Sequence, residues 1–352
     1  MLRIAIAADR AYTAEGEHGP WYDDQGLQAA LKALGHQVRI ISWEDPRVDL
    51  QSFDAIYVST TWSGCRTPDV FQAWLDACEA DGRRRLINDR AVIDAGFVKK
   101  RYWHVLERAF DQNPHLASLG RLTPSRFFDT TSGQTGDDFV AVLAEVDSDA
   151  EWAAANLVLK PVISADGIDT YVYNRFHRPI PIDEAKRAQF VLSSFTQASA
   201  TFQRLAASGD RGGVLLQPYM TGVEAGEYSL TFLERRCVLA AQKPPLFKGD
   251  GSARRRIVDL PDVPPRLLRF AEHVLAAFAN TFASETISRT RLDLFDQAGV
   301  PMLCELETVD PNTNIRLVAE QRGVAAAQTI FAEYARVIAA RAAALWDAGG
   351  LR

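Results

Sequence analysis

The sequence is poor in cysteine and histidine and has no excess of positive charge. Its four cysteines, at positions 65, 78, 237 and 304, are far apart and match no metal-binding spacing. We therefore expect free thiols. The six histidines form no recognisable catalytic pattern, and a net charge of −6 provides no basic surface for nucleic acid. These absences argue against a disulfide scaffold, a cysteine-ligated metal site and a nucleic-acid-binding protein.

Long apolar runs are also absent. No segment approaches the ~20 residues of a membrane span, and Met1 to Ala8 is too short for a signal peptide and has no cleavage pattern. With 47% apolar and 24% charged residues, the chain has an ordinary globular composition and is long enough for two or three domains. We expect a cytoplasmic protein with no membrane or nucleic-acid partner, and a homodimer is compatible with the sequence.

The first third of the chain alternates strand and helix patterns. Apolar strand-like segments occupy 2–8, 36–43 and 53–62, and a helical pattern occupies 23–35. This order predicts a parallel, three-layer α/β domain. The first strand is followed by DRAYTAEGEHG rather than G-x-G-x-x-G, so the phosphate turn of a dinucleotide-binding fold is missing.

Ligands bind at strand ends in such sheets. The residues at these ends that can contact a substrate are Asp9, Tyr22, Asp23 and Trp62. The alternative for each is a loop residue that only caps a helix.

The stretch from Arg289 to Asn314 carries the most informative pattern. Two runs that alternate apolar and charged residues, RTRLDLF and PMLCELE, flank a turn-prone Asp-Gln-Ala-Gly, which predicts a β-hairpin. Side chains on a strand repeat every two residues, so Arg291 and Asp293 share one face of the first strand. Glu305 and Glu307 share one face of the second strand for the same reason.

The turn decides whether these two faces meet. A four-residue loop directs the carboxylates to opposite faces, whereas a three-residue loop ending at Gly299 places Asp293 opposite Leu303. In the second case Asp293, Glu305 and Glu307 converge. Three carboxylates on one face repel each other unless cations hold them together, and oxygen-only ligands suit Mg²⁺, which commonly bridges to phosphates. The alternative is a solvated face of an antiparallel sheet.

Three earlier segments carry cations or flexible backbone. LVLKPV places Lys160 in an otherwise apolar strand, where an unpaired ammonium is costly, although an edge-strand lysine can also reach water. The SADG that follows, at 164–167, is a small loop whose backbone N–H groups can approach phosphates. FKGDGSARRRIVDL, at 247–260, is suited to folding over an anion or is a surface loop.

The segment 91–110 predicts a single helix with three successive cations in its middle. Lys99, Lys100 and Arg101 cannot all lie on one helical face. At least one of them therefore points away from the other two.

Taken in order, these motifs resemble those of the ATP-grasp ligases, specifically the glutathione-synthetase-like group that includes the cycloserine-forming cyclo-ligase. The order is a lysine near 100, the LVLKP strand, a small glycine loop, the LLQPYM strand with an acidic loop, an arginine loop, an R-x-D strand and E-x-E. The resemblance covers most of the chain. It implies an α/β protein with the ATP-grasp fold, comprising an N-terminal α/β domain at 1–118, a lid subdomain at 119–214 and a C-terminal catalytic subdomain at 215–352. The lid would be the most mobile part.

The resemblance also implies the contacts to ATP. Lys100, in K-R-Y, matches the first phosphate-binding lysine, and Lys160 matches the second. The lid loop, the hinge whose backbone contacts adenine and the acidic residues at the ribose supply the other contacts. These are Ser164, Asp166, Gly167, Gln217, Pro218, Tyr219, and Glu224 or Glu227.

Mg²⁺, in two ions, is the second implied cofactor. Its implied ligands are Asp293, Glu305 and Glu307. Many relatives end this motif as E-x-N, so Glu307 adds a charge. Arg291 and one of Arg254 to Arg256, with Arg255 in the middle, would hold the transferred phosphate. Lys243 stands where relatives often carry an arginine.

The substrate pocket is expected between the N-terminal domain and the hairpin. The residues expected to line it are Tyr22, Trp62, Arg291, Asn312 and Asn314. Arg316 either pairs with a substrate carboxylate or forms a structural salt bridge.

The resemblance implies an ADP-forming carboxylate–amine ligase for small amino-acid-like substrates. Such an enzyme activates a carboxylate as an acyl phosphate and needs no covalent nucleophile, which agrees with the absence of a Ser-His-Asp or Cys-His arrangement. Two alternatives are an intramolecular ring closure of the cycloserine type and an ATP-binding protein without catalysis.

Overall fold

The computed structural model describes residues 1–128, 139–165, 167–180, 182, 184–208, 211–244, 255–282 and 287–348. These residues form three sheets with helices packed against them. Among the described helices, none combines the length and the apolar character needed to cross a membrane. All four cysteines have free thiols, as predicted.

The N-terminal sheet is parallel, as the sequence predicts, and has four strands. Its strands, in the spatial order β2-β1-β3-β4, are β1 (Arg3–Ala8), β2 (Gln37–Ser42), β3 (Ala55–Thr60) and β4 (Leu86–Ile87). Helices α1 (Tyr22–Ala33) and α2 (Pro68–Cys78) cover opposite faces. Because both faces are covered, β1 is apolar along nearly its whole length.

The last two described helices belong to the same apolar core as this sheet. Helices α11 (Ile315–Arg322) and α12 (Val324–Ala348) follow the hairpin, and Phe331 and Ile338 pack with Ile4 and Ile6 of β1. The C-terminal helices therefore link the N-terminal sheet to the hairpin.

The second sheet has five strands in the order β6-β10-β7-β8-β9. They are β6 (Arg126–Phe128), β7 (Leu157–Pro161), β8 (Tyr171–Tyr173), β9 (Val191–Leu192) and β10 (Val214–Pro218). The accompanying helices are α6 (Phe139–Val146), α7 (Ala150–Ala153), α8 (Glu184–Phe190) and α9 (Phe195–Ala206). Helical spacing in the sequence predicts one helical stretch at 183–212. In the structure, a strand and the Ser194 capping box separate two helices there.

The third sheet has six strands in the order β13-β12-β11-β14-β15-β5. They are β5 (Arg121–Leu122), β11 (Glu227–Leu233), β12 (Arg236–Lys243), β13 (Arg256–Val258), β14 (Arg289–Gln297) and β15 (Val300–Glu307). Helix α10 (Pro265–Thr281) packs on one face with α4 (Lys99–Gln112) and α5 (Pro114–Leu119). The run LTPSRFFD at 122–129 predicts one strand from the sequence. In the structure, β5 and β6 are separated around Pro124, which cannot donate to a ladder.

The sheets do not follow the predicted domain boundaries at 118 and 214. Strand β5 belongs to the third sheet and β10 to the second. The domain boundaries themselves stay a prediction.

The predicted helix at 91–110 is interrupted at one residue. Helix α3 (Arg90–Phe97) ends before Val98, whose φ of −108° and ψ of 103° are extended, and α4 begins at Lys99. The backbone N–H of Lys99 donates to the carbonyl of Val162, just beyond β7, at 3.4 Å. The single-helix prediction is therefore wrong, and the break changes which cation faces the second sheet.

Gly96 lets α3 approach the end of β15 closely. A Cβ at this position would overlap the hydroxyl of Thr308, which is buried and donates to the carbonyl of Val92 at 3.0 Å. We expect Gly96→Ala to destabilise the protein by about 1–3 kcal/mol through overpacking. Thermal unfolding measures this as a lower transition temperature.

A second substitution provides the control for that overlap. Thr308→Ala removes the obstructing hydroxyl, so the double variant should be more stable than the sum of the two single effects predicts. Additive effects would show that the close approach is not the cause.

Candidate active site

The hairpin has a two-residue turn, shorter than either predicted loop. Strands β14 and β15 pair from Gln297 and Val300, and the turn residues Ala298 and Gly299 have φ of 52° and 93°. Two-residue hairpins with both φ values positive match the twist of their strands. The predicted three- and four-residue loops are therefore wrong.

A β-bulge brings the acidic residues of the two strands to the same face of the sheet. If the register set by the turn continued, Asp293 would lie opposite Cys304, and Glu305 would point to the other face. Instead the register shifts immediately beyond Asp293, which pairs with Glu305, while Arg291 pairs with Glu307. Cys304 is thus the additional residue of the bulge.

The prediction that three carboxylates converge is confirmed. One oxygen from each of Asp293, Glu305 and Glu307 lies within 4.8 Å of the other two. Three oxygen donors at this spacing, with no nitrogen or sulfur ligand among them, fit Mg²⁺.

Two cations hold Asp293. The Nε and one terminal nitrogen of Arg291 donate to its two oxygens at 3.0 and 2.9 Å, and the Lys243 Nζ donates at 2.6 Å. The Ser229 hydroxyl adds a bond at 2.7 Å. Arg291 also donates to Glu307 at 2.7 Å, so one guanidinium joins both strands of the hairpin.

Lys99 reaches the same face from α4. Its Nζ lies 3.1 Å from an oxygen of Glu305 and donates to the Ser164 carbonyl at 2.8 Å. The side chain is buried. Lys99 therefore connects the loop after β7 to the acidic cluster.

The three carboxylates differ in their affinity for protons. Burial raises the pKa of Asp293, but the two cations bound to it bring the pKa well below its ordinary range. Burial also raises the pKa of Glu305, and the charges of Lys99 and Lys160 bring it below its ordinary value. At Glu307 burial prevails and raises the pKa to about 7.

A cavity of about 1380 Å³ extends from this cluster. Its walls come from all three sheets, including Asp9 after β1, Lys160 on β7 and Asp293 on β14. The site is thus assembled from parts far apart in sequence, around the hairpin.

Comparison with known proteins identifies this architecture. Residues 4–88 match the family described as D-cycloserine synthetase DcsG, N-terminal domain. The chain is similar to the crystal structure of D-cycloserine synthetase DcsG, with a TM-score of 0.70 and 21% identity over 97% of this chain and 99% of that chain. It is also similar to the ATP-grasp ligase PsnB complexed with a minimal precursor, with a TM-score of 0.55 and 13% identity over 96% and 99% of the two chains. The chain has the ATP-grasp fold.

The chain is also similar in structure to a further enzyme. D-alanine–D-alanine ligase from Bacillus anthracis, complexed with ATP, is similar with a TM-score of 0.59 and 10% identity over 100% of both chains. No curated protein matches the sequence. The resemblance that the motifs indicate is confirmed at the level of the fold.

Most of the nucleotide contacts expected for an ATP-grasp fold line the cavity. Those that do are Lys160, Ser164, Gly167, Gln217, Pro218, Tyr219 and Glu227. Glu224 lies outside the lining and accepts a bond from the Tyr219 hydroxyl at 3.2 Å. Asp166 and Arg254 lie outside the described residues. Lys99, not Lys100, lines the cavity, because the helix break turns Lys99 inward.

The residues expected at the transferred phosphate also line the cavity. Arg291, Lys243 and Arg255 do so, whereas Arg256 donates to the side chain of Gln242. Of the two arginines that the structure describes here, Arg255 lines the cavity and Arg256 does not.

The expected substrate residues divide into two groups. Trp62, Asn312 and Asn314 line the cavity. Tyr22 packs against Phe331 instead, and its neighbour Trp21 lines the cavity. The remaining one, Arg316, pairs through Nε with Glu320 at 2.9 Å on exposed α11, which is the structural alternative stated for it.

Sequence reasoning missed several lining residues besides Lys99. Tyr12, Trp21 and Asp310 line the cavity near Trp62. The aromatic and acidic composition of the loop after β1 was the available signal, but no motif marks these positions.

Magnesium binding is expected to strengthen as the pH rises from 6 to 8. A metal-bound carboxylate must be deprotonated, and Glu307 is mostly protonated at pH 6 because its pKa lies near 7. Affinity should therefore rise up to about tenfold per pH unit below 7 and level off above it. Calorimetric titration with Mg²⁺ at pH 6, 7 and 8 tests this. Glu307→Gln should flatten the profile, and an equally steep profile in that variant would contradict the assignment.

Proposed function

We propose that the protein is an ADP-forming carboxylate–amine ligase for small amino-acid-like substrates. The observation that carries this proposal is the meeting of three carboxylates with four cationic side chains on one cavity of an ATP-grasp fold. The cations are Lys99, Lys160, Lys243 and Arg291. Alternating charges of this kind suit phosphoryl transfer, where catalysis depends on positioning and on charge stabilisation.

The nucleotide would lie between the second and third sheets. We assign the phosphates to Lys99 and Lys160 and the adenine to the segment 217–219, with Glu227 at the ribose. Asp293, Glu305 and Glu307 would hold Mg²⁺, which offsets phosphate charge when it is bound. The structure supports this assignment by placing these residues on one continuous cavity surface.

The reaction begins at a substrate carboxylate. Its oxygen attacks the γ-phosphorus of ATP, the bond from that phosphorus to the β–γ bridging oxygen breaks, and ADP leaves. The acyl phosphate then reacts with an amine, whose nitrogen bonds to the acyl carbon as the carbon–oxygen bond to phosphate breaks. The amine loses a proton, and the products are an amide, ADP and phosphate.

Arg291 and Arg255 are the proposed partners of the transferred phosphoryl group. The Arg291 guanidinium donates to Asp293, to Glu307 and to the carbonyl of Asn312, the last at 3.1 Å. Because these bonds already orient it, the guanidinium needs little reorganisation to bind the phosphoryl group. Lys243, held by Asp293, adds a nearby positive charge. Enclosure in the cavity would protect the acyl phosphate from water.

Ring closure within one substrate is the second candidate. It is favoured by the match of residues 4–88 to the DcsG N-terminal domain and by the similarity of the whole chain to D-cycloserine synthetase. Here the amine and the carboxylate belong to one molecule. A protein that binds ATP without turnover is a third candidate, and the complete set of carboxylates and cations argues against it.

Release of phosphate from ATP and Mg²⁺, with the twenty amino acids supplied singly and in pairs, tests the proposal. A requirement for two amino acids supports ligation and names the substrates. Release with one amino acid, giving a product lighter by one water, supports ring closure. Absence of release with ATP still bound by calorimetry favours the protein without turnover, and absence of ATP binding overturns the proposal.

A further inference from the structure

The cavity changes character between its two ends. At the hairpin end, cations and carboxylates are interleaved and paired, as described above. At the N-terminal end, the lining near the loop after β1 is aromatic and acidic. This second end, which we term the aromatic–acidic end, comprises Tyr12, Trp21, Trp62, Asp9, Glu44 and Asp310. The proposed phosphate chemistry uses none of these side chains.

Three rings form one wall of the aromatic–acidic end. The centroids of Tyr12, Trp21 and Trp62 lie 5.2–5.5 Å apart, and each pair is inclined at 74–83°. The Trp62 indole nitrogen donates to the carbonyl of Asp310 at 2.9 Å, which fixes that ring beside the acidic group. Rings that brace each other in this way give a rigid wall, and aromatic faces attract cations.

Neutral donors orient the three carboxylates. Asp9 accepts from the indole nitrogen of Trp43 at 2.8 Å and from the backbone N–H of Ser63 at 2.9 Å. Asp310 accepts from the hydroxyl of Thr61 at 2.9 Å. Glu44 accepts from a backbone N–H at 2.6 Å. These bonds fix the carboxylates without neutralising them.

No described lysine or arginine forms an ion pair with them. Within the part of the chain that the structure describes, none of Asp9, Glu44 and Asp310 has an ion pair within 4.0 Å. Arg10 and Arg66 also line this end, but the Arg10 guanidinium donates to the backbone carbonyl of Glu44 at 3.1 Å. The carboxylates of the hairpin, in contrast, form ion pairs with lysine and arginine side chains.

The pKa values agree with this lack of direct pairing. Burial raises the pKa of Asp310 to about 6, and the charge of Asp9 adds to this, while the Thr61 hydrogen bond and the charges of Arg289 and Arg291 offset it only in part. Burial likewise raises the pKa of Asp9, to which Glu44 contributes. A positive charge placed among the three would favour their ionised forms.

We propose that the aromatic–acidic end binds a cationic side chain of the substrate, an ammonium or a guanidinium, against the rings of Tyr12, Trp21 and Trp62. The substrate class is then an amino acid whose side chain carries a positive charge in addition to its α-ammonium group and the reacting carboxylate. This inference rests on the proposed ligase function for its biological meaning, because it assigns the second end of the same cavity. Binding of the cation itself depends only on its transfer from water to a site lined by aromatic rings and carboxylates.

Matched amino acids that differ in charge test the proposal. Calorimetric titrations of the whole 352-residue chain use arginine against citrulline and lysine against norleucine, with both enantiomers of each. We expect each cation to bind at least about tenfold more tightly than its neutral partner, which corresponds to about 1.4 kcal/mol. Equal binding of the two partners, or no binding of any of the probes at millimolar concentration, overturns the proposal.

Two substitutions assign the preference to this end of the cavity. Asp310→Asn keeps an acceptor for Thr61 and removes the charge, so the preference should fall below about twofold. Tyr12→Leu should reduce it severalfold, whereas Tyr12→Phe keeps the ring and should preserve it. A preference that survives both Asp310→Asn and Tyr12→Leu would place the cation elsewhere and overturn the assignment.

Nucleotide binding separates this inference from the proposed function. The same protein samples are titrated with ADP and Mg²⁺. Binding of the nucleotide without a preference for cationic probes refutes the inference alone. A preference for cationic probes in a protein that binds no nucleotide refutes the ligase proposal and leaves the cation site established.

Discussion

Glu305→Gln is expected to reduce substrate-dependent ADP release by about a thousandfold or more. The substitution keeps the size of the side chain but removes one of three converging carboxylates. It also removes the partner of Lys99, which lies 3.1 Å from Glu305. A metal ion contributes several kcal/mol of charge stabilisation to phosphoryl transfer, and about 4 kcal/mol corresponds to three powers of ten in rate. A coupled assay for ADP measures the loss.

Glu320→Gln serves as the control for that experiment. Glu320 is exposed on α11 and pairs with Arg316 at 2.9 Å, so its loss removes a carboxylate without changing the cavity. ADP release should stay within about twofold of the original rate, because exposed ion pairs contribute little. Full activity in Glu305→Gln would show that the three carboxylates are not the metal site.

Strand periodicity predicted one part of the carboxylate cluster correctly and left another part open. Alternation correctly put Asp293 on one face of its strand and Glu305 with Glu307 on one face of the other. The turn was wrong, since Ala298 adopts a positive φ that alanine rarely accepts. The bulge at Cys304 compensated by one residue. Periodicity fixed the faces within each strand, whereas the relation between strands depended on two irregular residues without a reliable sequence signal.

The N-terminal sheet was predictable for a simpler reason. Strands buried on both faces are apolar throughout, so β1 is recognised from composition alone. The packing of α12 on that sheet was not predictable in the same way. Its amphipathic pattern shows that one face is buried, but not that Phe331 joins the same apolar core as β1, nearly the whole chain away.

The substrate residues show that sequence patterns do not reliably assign a role to a single position. Tyr22 and Trp21 are neighbours, and both are large aromatic residues at the end of a loop. The start of α1 directs Tyr22 to the core, where it contacts Phe331, and leaves Trp21 on the cavity. A helix that begins one residue earlier or later exchanges the two roles, and boundaries are the least certain part of a sequence prediction.

Lys99 and Lys100 present the same ambiguity with a larger functional consequence. An unbroken helix gives no reason to prefer either lysine, and the K-R-Y motif indicated Lys100. The extended conformation of Val98 restarts the helix at Lys99 and ties its backbone to Val162. The buried ammonium of Lys99 then meets Glu305 and Ser164.

Lys99→Met should therefore lower kcat/KM for ATP by about a hundredfold or more, while Lys100→Met should leave it within about twofold. Methionine keeps most of the length of the side chain and removes the charge in both variants. The first loss has the size expected for one preorganised donor to a phosphoryl group. The second is a substitution outside the cavity lining, where effects are small.

Steady-state kinetics with thermal unfolding of both variants separate the two lysines. A loss of activity in Lys99→Met without a large change in unfolding temperature would assign its effect to the phosphate rather than to the fold. Calorimetry with ADP and Mg²⁺ provides the second readout, since a phosphate-binding lysine changes nucleotide affinity whichever amine is the substrate. A larger loss in Lys100→Met than in Lys99→Met would assign the phosphate contact to Lys100. In that case α4 would have to rotate so that Lys100 faces Glu305, and the hydrogen bond from the Lys99 backbone to Val162 opposes this rotation.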